Sequence, residues 1–290
     1  MMYLYVNGEI VHREEARISP FDHGFMYGLG AFETFRTYNG HPFLLDDHLA
    51  RLNNSLAEMN IRLSLQREEV VKIVHQLLQA NGLKDAYVRL NVSAGIGDIG
   101  LQTDGYVAPV VIVYMKPLPS TISMEKVCTV LKTRRNSPEG KERWKSHHYL
   151  NNILGKREIG NDPRVEGIFL NEQGFVTEGI VSNLFWVKDG IVYTPSIDTG
   201  ALNGITRQFV LSLLTTLQIR YEEGLYRLSA LEAADELFLT NSIQEIVPVV
   251  RLHDRCYVGK EGAVTKQLKE YYERYVTHLW TRHELIERVD

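Results

Sequence analysis

The arrangement of hydrophobic and polar positions predicts three β-hairpins. Short apolar runs flank three dipeptides, Asn7-Gly8, Asn39-Gly40 and Asp189-Gly190. Such pairs are typical of two-residue type I′ turns, because asparagine, aspartate and glycine tolerate positive φ. The paired runs are YLYV with EIVH, FETFRTY with HPFLL, and NLFWV with IVYTP. We therefore expect antiparallel strand pairs at each of these turns.

Two amphipathic helices are predicted after the second hairpin. From Asp46, and again around Val70, apolar residues recur every three or four positions, which is the period of one helical face. The residues on these faces are Leu49, Leu52, Leu56 and Met59, then Val70, Val74, Leu77 and Leu78. Strand-like runs at 86–92 and 108–115 complete this part of the chain.

A domain boundary is predicted near residue 117. Pro117 and Pro119 interrupt regular structure, and 290 residues exceed what one core usually serves. We predict an N-terminal α/β domain over 1–116, an interdomain linker over 117–123 and a larger C-terminal domain over 124–290. The C-terminal part shows strands near 126–132, 167–170, 182–187, 236–240 and 246–250, and helices near 148–159, 205–217 and from 262. Because helices and strands mix without strict alternation, the class is α+β.

Composition and charge argue against several classes of function. The net charge is 32 − 36 = −4 and basic residues are scattered, so nucleic acid is not an expected partner. The longest uncharged apolar stretch, 106–115, falls short of the roughly 20 residues of a membrane span. The N-terminus lacks the pattern of a secretory signal, which predicts a cytoplasmic protein. Cys128 and Cys256 form neither a disulfide framework nor a metal motif.

Two motifs suggest a dinucleotide site and a metal site, but their sequence context supports neither. Residues 95–100, GIGDIG, match a dinucleotide fingerprint, but the following LQTDGYVAP does not predict a helix, and no acidic residue stands about 20 positions on. We interpret the segment as a glycine-rich loop. His147 and His148 could bind a metal, but adjacent helical residues face different directions, and no cysteine or carboxylate cluster completes a ligand set. No metal site is predicted.

Other segments leave two interpretations open. In TGALNGITR a helix begins near Ile205, where free N–H groups could bind an anion or Thr206 could simply cap the helix. Lys145 is either a solvated surface lysine or, between Trp144 and Tyr149, a desolvated amine available as a nucleophile. Glu178, inside an apolar strand, either faces solvent or is buried beside a cation.

Taken together, WKSHHYLNNIL, FVTEGIVSNLFWVKDG, ALNGITRQ and FLTNSIQEIVPV resemble the fold-type IV pyridoxal 5'-phosphate (PLP) enzymes. This family includes branched-chain and D-amino-acid aminotransferases and aminodeoxychorismate lyases. The likeness begins at DHGFMYGLGAFETFR and DDHLARL and extends to about Pro248. It implies a two-domain, D-amino-acid aminotransferase-like fold, with a small N-terminal α/β domain and a larger C-terminal pseudo-barrel domain.

The resemblance implies a role for each matched residue. Lys145 matches the catalytic lysine that bonds to PLP and moves the proton, and Glu178 matches the carboxylate that faces the pyridine nitrogen. The other implied cofactor contacts are Arg51, Ile205, Thr206 and Ser242 at the phosphate, and Tyr149, which stands one residue closer to the lysine than the tyrosine of branched-chain enzymes. The family also implies a homodimer.

The strand around Thr34 distinguishes between reactions. Branched-chain aminotransferases usually have glycine there, whereas the lyases resemble this chain in having threonine followed two residues later by arginine, here Arg36. SPFDHG, YGLGAFETFR and KSHHYLNNILGKRE are similar to the Bacillus lyases. We therefore expect conversion of 4-amino-4-deoxychorismate to 4-aminobenzoate and pyruvate, with Thr34, Arg36 and Arg89 near the substrate. The alternatives are a D- or branched-chain amino acid aminotransferase and, in another class, a non-catalytic carrier of the cofactor or a phosphate-binding regulatory module.

Overall fold

The computed structural model describes residues 2–119 and 124–288, and its chain divides into two compact units. The first unit contains residues 2–118, 144–148 and 276–281; the second contains the remaining described residues. Residues 120–123 of the expected linker lie outside the described residues, so the domain limits stay a prediction. The segment that contains Lys145 clusters with the first unit rather than with the C-terminal part of the chain.

The first unit is built on a six-stranded antiparallel sheet with strand order β2-β1-β6-β5-β3-β4. Its elements are β1 (Tyr3–Val6), β2 (Glu9–His12), α1 (His23–Tyr27), β3 (Gly30–Tyr38), β4 (His41–Pro42), α2 (Leu45–Glu58), α3 (Arg67–Asn81), β5 (Tyr87–Ser93) and β6 (Val110–Lys116). The apolar faces of α2 and α3 are buried against the sheet, as their period predicts. The core of this unit includes Ala31, Phe35, Leu49, Leu52, Leu56, Val70, Val74, Leu77, Val88 and Leu90.

The second unit contains a nine-stranded mixed sheet. Its elements are β7 (Lys126–Val130), α4 (Leu150–Ile159), β8 (Val165–Leu170), β9 (Val176–Gly179), β10 (Asn183–Lys188), β11 (Ile191–Pro195), α5 (Ile205–Thr216), β12 (Tyr221–Gly224), α6 (Leu228–Glu232), β13 (Glu236–Asn241), β14 (Glu245–Leu252), β15 (Arg255–Cys256) and α7 (Ala263–Tyr275). The strand order is β12-β11-β10-β13-β14-β7-β8-β9, with β15 paired to β14. Short 3₁₀ helices occupy Ile197–Thr199, Gly259–Glu261 and Arg282–Arg288.

The three predicted hairpins are confirmed. Both central residues of each turn have positive φ, as type I′ geometry requires. The strand expected from HPFLL is shorter than predicted: β4 ends at Pro42, and α2 begins at Leu45 after Leu44 adopts a φ of 56°. The one-turn helix α1 escaped the periodicity analysis because five residues are too few to show a repeat.

The α+β class is confirmed, because helices combine with one antiparallel and one mixed sheet. The glycine-rich segment 95–100 is a loop, and no helix follows it before α4 within the described residues. No helix in the described part of the chain combines the length and the apolar character needed to cross a bilayer.

Candidate active site

Lys145 is held against the sheet of the first unit. The N–H of Phe32 donates to the Lys145 carbonyl at 2.9 Å, and the N–H of His147 donates to the Gly30 carbonyl at 3.0 Å. These bonds fix the segment beside β3, and the Lys145 Nζ lies 4.7 Å from the centre of the Phe32 ring. Phe32, which the sequence analysis did not name as a neighbour, thus provides an aromatic ring beside the amine within this unit. The aromatic setting expected from Trp144 and Tyr149 stays a prediction.

Thr34, Arg36 and Arg89 lie on the same face of this sheet. Thr34 is directly opposite Arg89 in the β3–β5 register, and Phe32 and Arg36 are two residues away from Thr34 on the same strand. The Arg89 guanidinium lies 3.6 Å from the centre of the Phe32 ring. Among the described residues no carboxylate pairs with Arg89, so its charge is available to an anion. The structure therefore brings Lys145 and the three expected substrate residues to one face.

His147 adds a neutral imidazole beside them. Its ring is stacked on Phe32 at 6.5 Å between centres. Burial, together with the positive charge of Arg89, lowers the pKa of His147 to about 4, so the ring is neutral at physiological pH. The buried Nε2 has no hydrogen-bond partner within the described residues. A buried polar atom of this kind ordinarily has a partner, which makes His147 a candidate contact for a ligand.

Arg51 is engaged on the other face of β3. Its Nε and Nη2 donate to the two carboxylate oxygens of Glu33, each at 2.7 Å, and His48 Nδ1 lies 2.6 Å from Glu33 Oε2. Successive strand residues point to opposite faces, so Glu33 and Thr34 face away from each other. The phosphate role expected for Arg51 stays a prediction, but the bidentate ion pair fixes the direction of its guanidinium.

Glu178 is the centre of a charged cluster in the second unit. It is 5% exposed, which confirms the alternative of a carboxylate buried beside a cation. Its Oε1 accepts from Arg135 Nε at 2.8 Å, and its Oε2 accepts from the Leu202 N–H at 3.0 Å. Arg143 Nε lies 3.9 Å from Oε1. Burial, followed by repulsion from Arg135, lowers the pKa of Arg143 to about 10, so the Arg143 guanidinium is still charged at neutral pH.

An anion cradle lies at the start of α5. The N-cap residue of this helix, Gly204, makes no side-chain capping hydrogen bond, and the choice between a capping role and an anion-binding role for Thr206 stays a prediction. The Thr206 and Ser242 hydroxyl oxygens are 3.3 Å apart, although 36 residues separate them in the chain. Helix N–H groups and two hydroxyls that converge in this way suit a phosphate. Ile205, at the first position of the helix, supplies one of these N–H groups.

Tyr149 lies at the N-terminal end of α4 and lines a cavity of about 400 Å³ in the second unit. Asn152, Lys156 and the buried Glu166 also line it. Burial raises the pKa of Glu166, whose Oε1 accepts from the Ile180 N–H at 2.7 Å. Glu166 therefore supports the turn that follows Glu178. The cofactor role of Tyr149 stays a prediction.

Three polar residues of these clusters were missed by the sequence analysis. They are Arg135, Glu33 and His48, and all three are buried. Arg135 binds Glu178, Glu33 binds Arg51, and His48 binds Glu33. A charge within an apolar stretch was a usable signal for Glu33, as it was for Glu178. No group of three or more potential metal-ligating side chains exists within 2–119 and 124–288.

Comparison with known proteins identifies the family. Residues 30–252 match Amino-transferase class IV. Aminodeoxychorismate lyase of Bacillus subtilis (strain 168) is 46% identical over 279 residues, 95% of this chain and 95% of that protein. A branched-chain aminotransferase from the thermophilic archaeon Thermoproteus uzoniensis, solved with norvaline, is 31% identical with a TM-score of 0.85, over 95% of each chain. The chain therefore belongs to the class IV aminotransferase family.

A further solved relative contains a phosphopyridoxyl group. This branched-chain amino acid aminotransferase, complexed with N-(5'-phosphopyridoxyl)-L-glutamate, is 28% identical and has a TM-score of 0.82, covering 95% of this chain and 94% of that one. The family resemblance inferred from the motifs is thereby confirmed.

Proposed function

We propose that this protein is an aminodeoxychorismate lyase, which uses PLP to convert 4-amino-4-deoxychorismate into 4-aminobenzoate and pyruvate. The observation that carries the proposal is the 46% identity to the Bacillus subtilis lyase across 95% of both chains. Thr34 and Arg36, the residues that distinguish the lyases from branched-chain aminotransferases in the motif comparison, lie on the face of β3 that Lys145 borders. The small-molecule substrate is therefore an amine with two carboxylates.

The residues of the second unit fit PLP. The Thr206 and Ser242 hydroxyls and the start of α5 suit its phosphate, and the buried Glu178 suits its pyridine nitrogen. Leu202 links the two subsites, because its N–H binds Glu178 and it precedes α5 by three residues. The buried hydroxyls of Ser182 and Thr240 have no partner within the described residues, as expected where a polar ligand completes the site.

When bound, PLP supplies an electron sink for the carbon that loses a proton. Lys145 is the residue that would bond to the cofactor, and its free amine would remove the proton from the amine-bearing carbon of the substrate. Its amine can then protonate the oxygen of the departing enolpyruvyl group, so the proton that it takes is the proton that it returns. The bond that breaks is the ring carbon–oxygen bond, and the ring becomes aromatic.

Arg89 and Arg36 anchor the two substrate carboxylates in this proposal. Both side chains lie on the face that carries Phe32. The Arg89 guanidinium is stacked on that ring, which restricts its orientation. It can therefore bind a carboxylate through two parallel N–H groups. Thr34, between them, offers a hydroxyl to the substrate.

A homodimer is part of the proposal. Each unit exposes large apolar side chains that a subunit contact would bury. They are Phe21, Phe25, Ile96, Ile99 and Leu101 in the first unit, and Leu150, Ile153, Leu154 and Val181 in the second. A solution mass equal to one chain would contradict this assembly. The cytoplasm is the proposed location, and the free thiols of Cys128 and Cys256 suit a reducing compartment.

The test is product release by the purified, PLP-loaded protein from 4-amino-4-deoxychorismate, with no 2-oxo acid present. We expect equal amounts of 4-aminobenzoate and pyruvate, measured by fluorescence and by a coupled lactate dehydrogenase assay. A protein that binds PLP, releases neither product and instead exchanges amino groups between D- or branched-chain amino acids and 2-oxo acids would be an aminotransferase, and the lyase proposal would be wrong.

A further inference from the structure

The carboxylate of Glu178 is bound before any cofactor reaches it. Arg135, on the segment after β7, is 5% exposed, as Glu178 is, and its Nε lies 2.8 Å from Glu178 Oε1. Two buried charges at this distance are stable only if their remaining hydrogen-bonding groups are satisfied. The other donors of Arg135 therefore decide whether the pair is a firm structural element.

One terminal nitrogen of the Arg135 guanidinium is bound by α4. Its Nη1 donates to Asn151 Oδ1 at 2.6 Å and to Asn152 Oδ1 at 3.2 Å. Asn152 Nδ2 in turn donates to the Ile180 carbonyl at 2.6 Å, two residues beyond Glu178. The hydrogen bonds thus connect Glu178 through Arg135 and Asn152 to the turn that directly follows Glu178. Such a network leaves the carboxylate few orientations.

We propose that Arg135 is a positioning residue that acts through Glu178 on the pyridine nitrogen of PLP. It fixes the carboxylate in direction and offsets part of the negative charge that this nitrogen meets. The inference rests on the proposed function only as far as PLP binding, and it holds for a lyase and for an aminotransferase alike. The sequence motifs assigned no role to Arg135.

The charges around Glu178 determine in which direction a substitution of Arg135 changes the pKa of the bound cofactor. Glu178 faces Arg135 and Arg143, and Arg143 is itself influenced by Glu139 and Tyr149. Glu166, with Lys126 and Lys156 near it, lies behind the following turn. Replacing Arg135 by a neutral residue removes one positive charge beside the carboxylate, so protons on the bound cofactor are held more tightly. At an effective dielectric constant of about 20, a charge several ångströms away changes a pKa by roughly one unit.

The experiment compares the substitutions Arg135→Gln and Arg135→Lys with the matched control Arg134→Gln. Arg134 is the neighbouring residue and its side chain is exposed, so the control makes the same chemical change outside the cluster. Each protein is freed of cofactor, its unfolding temperature is measured, and PLP is titrated in. The absorption spectrum of the bound cofactor is then recorded from pH 6 to pH 10.

In Arg135→Gln we expect the spectral midpoint to move upward by roughly one pH unit. We also expect a roughly ten- to hundredfold loss of PLP affinity, as follows from losing one charged hydrogen bond. Arg135→Lys keeps the charge and should restore most of the midpoint but not all of the affinity. Arg134→Gln should match the wild type in both.

Two outcomes would overturn the proposal. One is an Arg135→Gln protein that binds PLP with wild-type affinity and an unchanged midpoint. The other is a folded Arg135→Lys protein whose midpoint is displaced as far as that of Arg135→Gln, since a retained charge would then have no effect. If Arg135→Gln does not fold, Arg135→Lys is compared with the wild type, and either an unchanged PLP affinity or a midpoint displaced upward by a full pH unit would overturn the proposal. Failure of the product-release assay with a normal wild-type spectrum would refute the lyase and leave this inference standing.

Discussion

The ion pair between Glu33 and Arg51 makes a quantitative prediction about acid stability. Glu33 is 1% exposed and faces two groups, His48 at 2.6 Å and Arg51 at 2.7 Å. Burial alone raises the pKa of its carboxyl group, but the charges and hydrogen bonds of Arg51 and His48 outweigh burial and lower the pKa from its usual 4.5 to about 2. The carboxylate is therefore more stable in the folded chain than in the unfolded chain.

The size of this contribution follows from linkage. A fall of about 2.5 in the pKa of Glu33, at about 1.4 kcal/mol per unit, corresponds to about 3 kcal/mol of unfolding free energy. Because the folded pKa is the lower one, this stability is fully present above pH 4.5 and disappears as the pH falls to about 2. About 2 kcal/mol of it should be lost between pH 7 and pH 3.

The assay is urea unfolding of the wild type, Glu33→Gln and Glu58→Gln at pH 7 and pH 3, with circular dichroism as the measure of unfolding. At pH 7 we expect Glu33→Gln to be less stable by about 3 to 5 kcal/mol, because His48 and Arg51 lose their buried partner. This deficit should shrink by about 2 kcal/mol at pH 3, because the variant has no carboxyl group to titrate. Glu58, exposed at the end of α2, is the control and should behave as wild type. An equal deficit at both pH values would refute the reasoning.

Three further outcomes are expected. Lys145→Ala should lower turnover by at least about a hundredfold and abolish the cofactor adduct seen by mass spectrometry after borohydride reduction, whereas the exposed control Lys141→Ala should keep both. In Gly204→Ala the new Cβ would lie 2.0 Å from Oδ1 of Asn183, so the Asn183 side chain or the start of α5 must shift, and titration should show roughly tenfold weaker PLP binding. Thr34→Gly, the residue type usual in branched-chain aminotransferases, should lower 4-aminobenzoate release by roughly tenfold with unchanged PLP affinity, and an unchanged rate would contradict the substrate role of this hydroxyl.

Local signals predicted most of the secondary structure. The turn at Asn7-Gly8 and the helix that contains Leu52 are encoded by neighbouring residues, through positive φ in one case and a repeated apolar face in the other. The end of β4 was not predictable in this way. Pro42 ends the strand because α2, which packs on the sheet, begins at Leu45, and that start depends on packing rather than on the hairpin.

The polar residues that bind the predicted site residues could not be identified from the local sequence. Nothing in the run Thr133-Arg134-Arg135 distinguishes its two arginines, and their composition indicates a solvated surface for both. In an extended segment, adjacent side chains point in opposite directions, so one arginine is exposed and the other reaches Glu178, 43 residues away in the chain. Which one does so depends on the pairing of β8 with β9, which places Glu178 beside Phe169. A sequence motif can thus identify the group that meets a cofactor, while the residue that orients this group depends on strand register and becomes visible only in the folded chain.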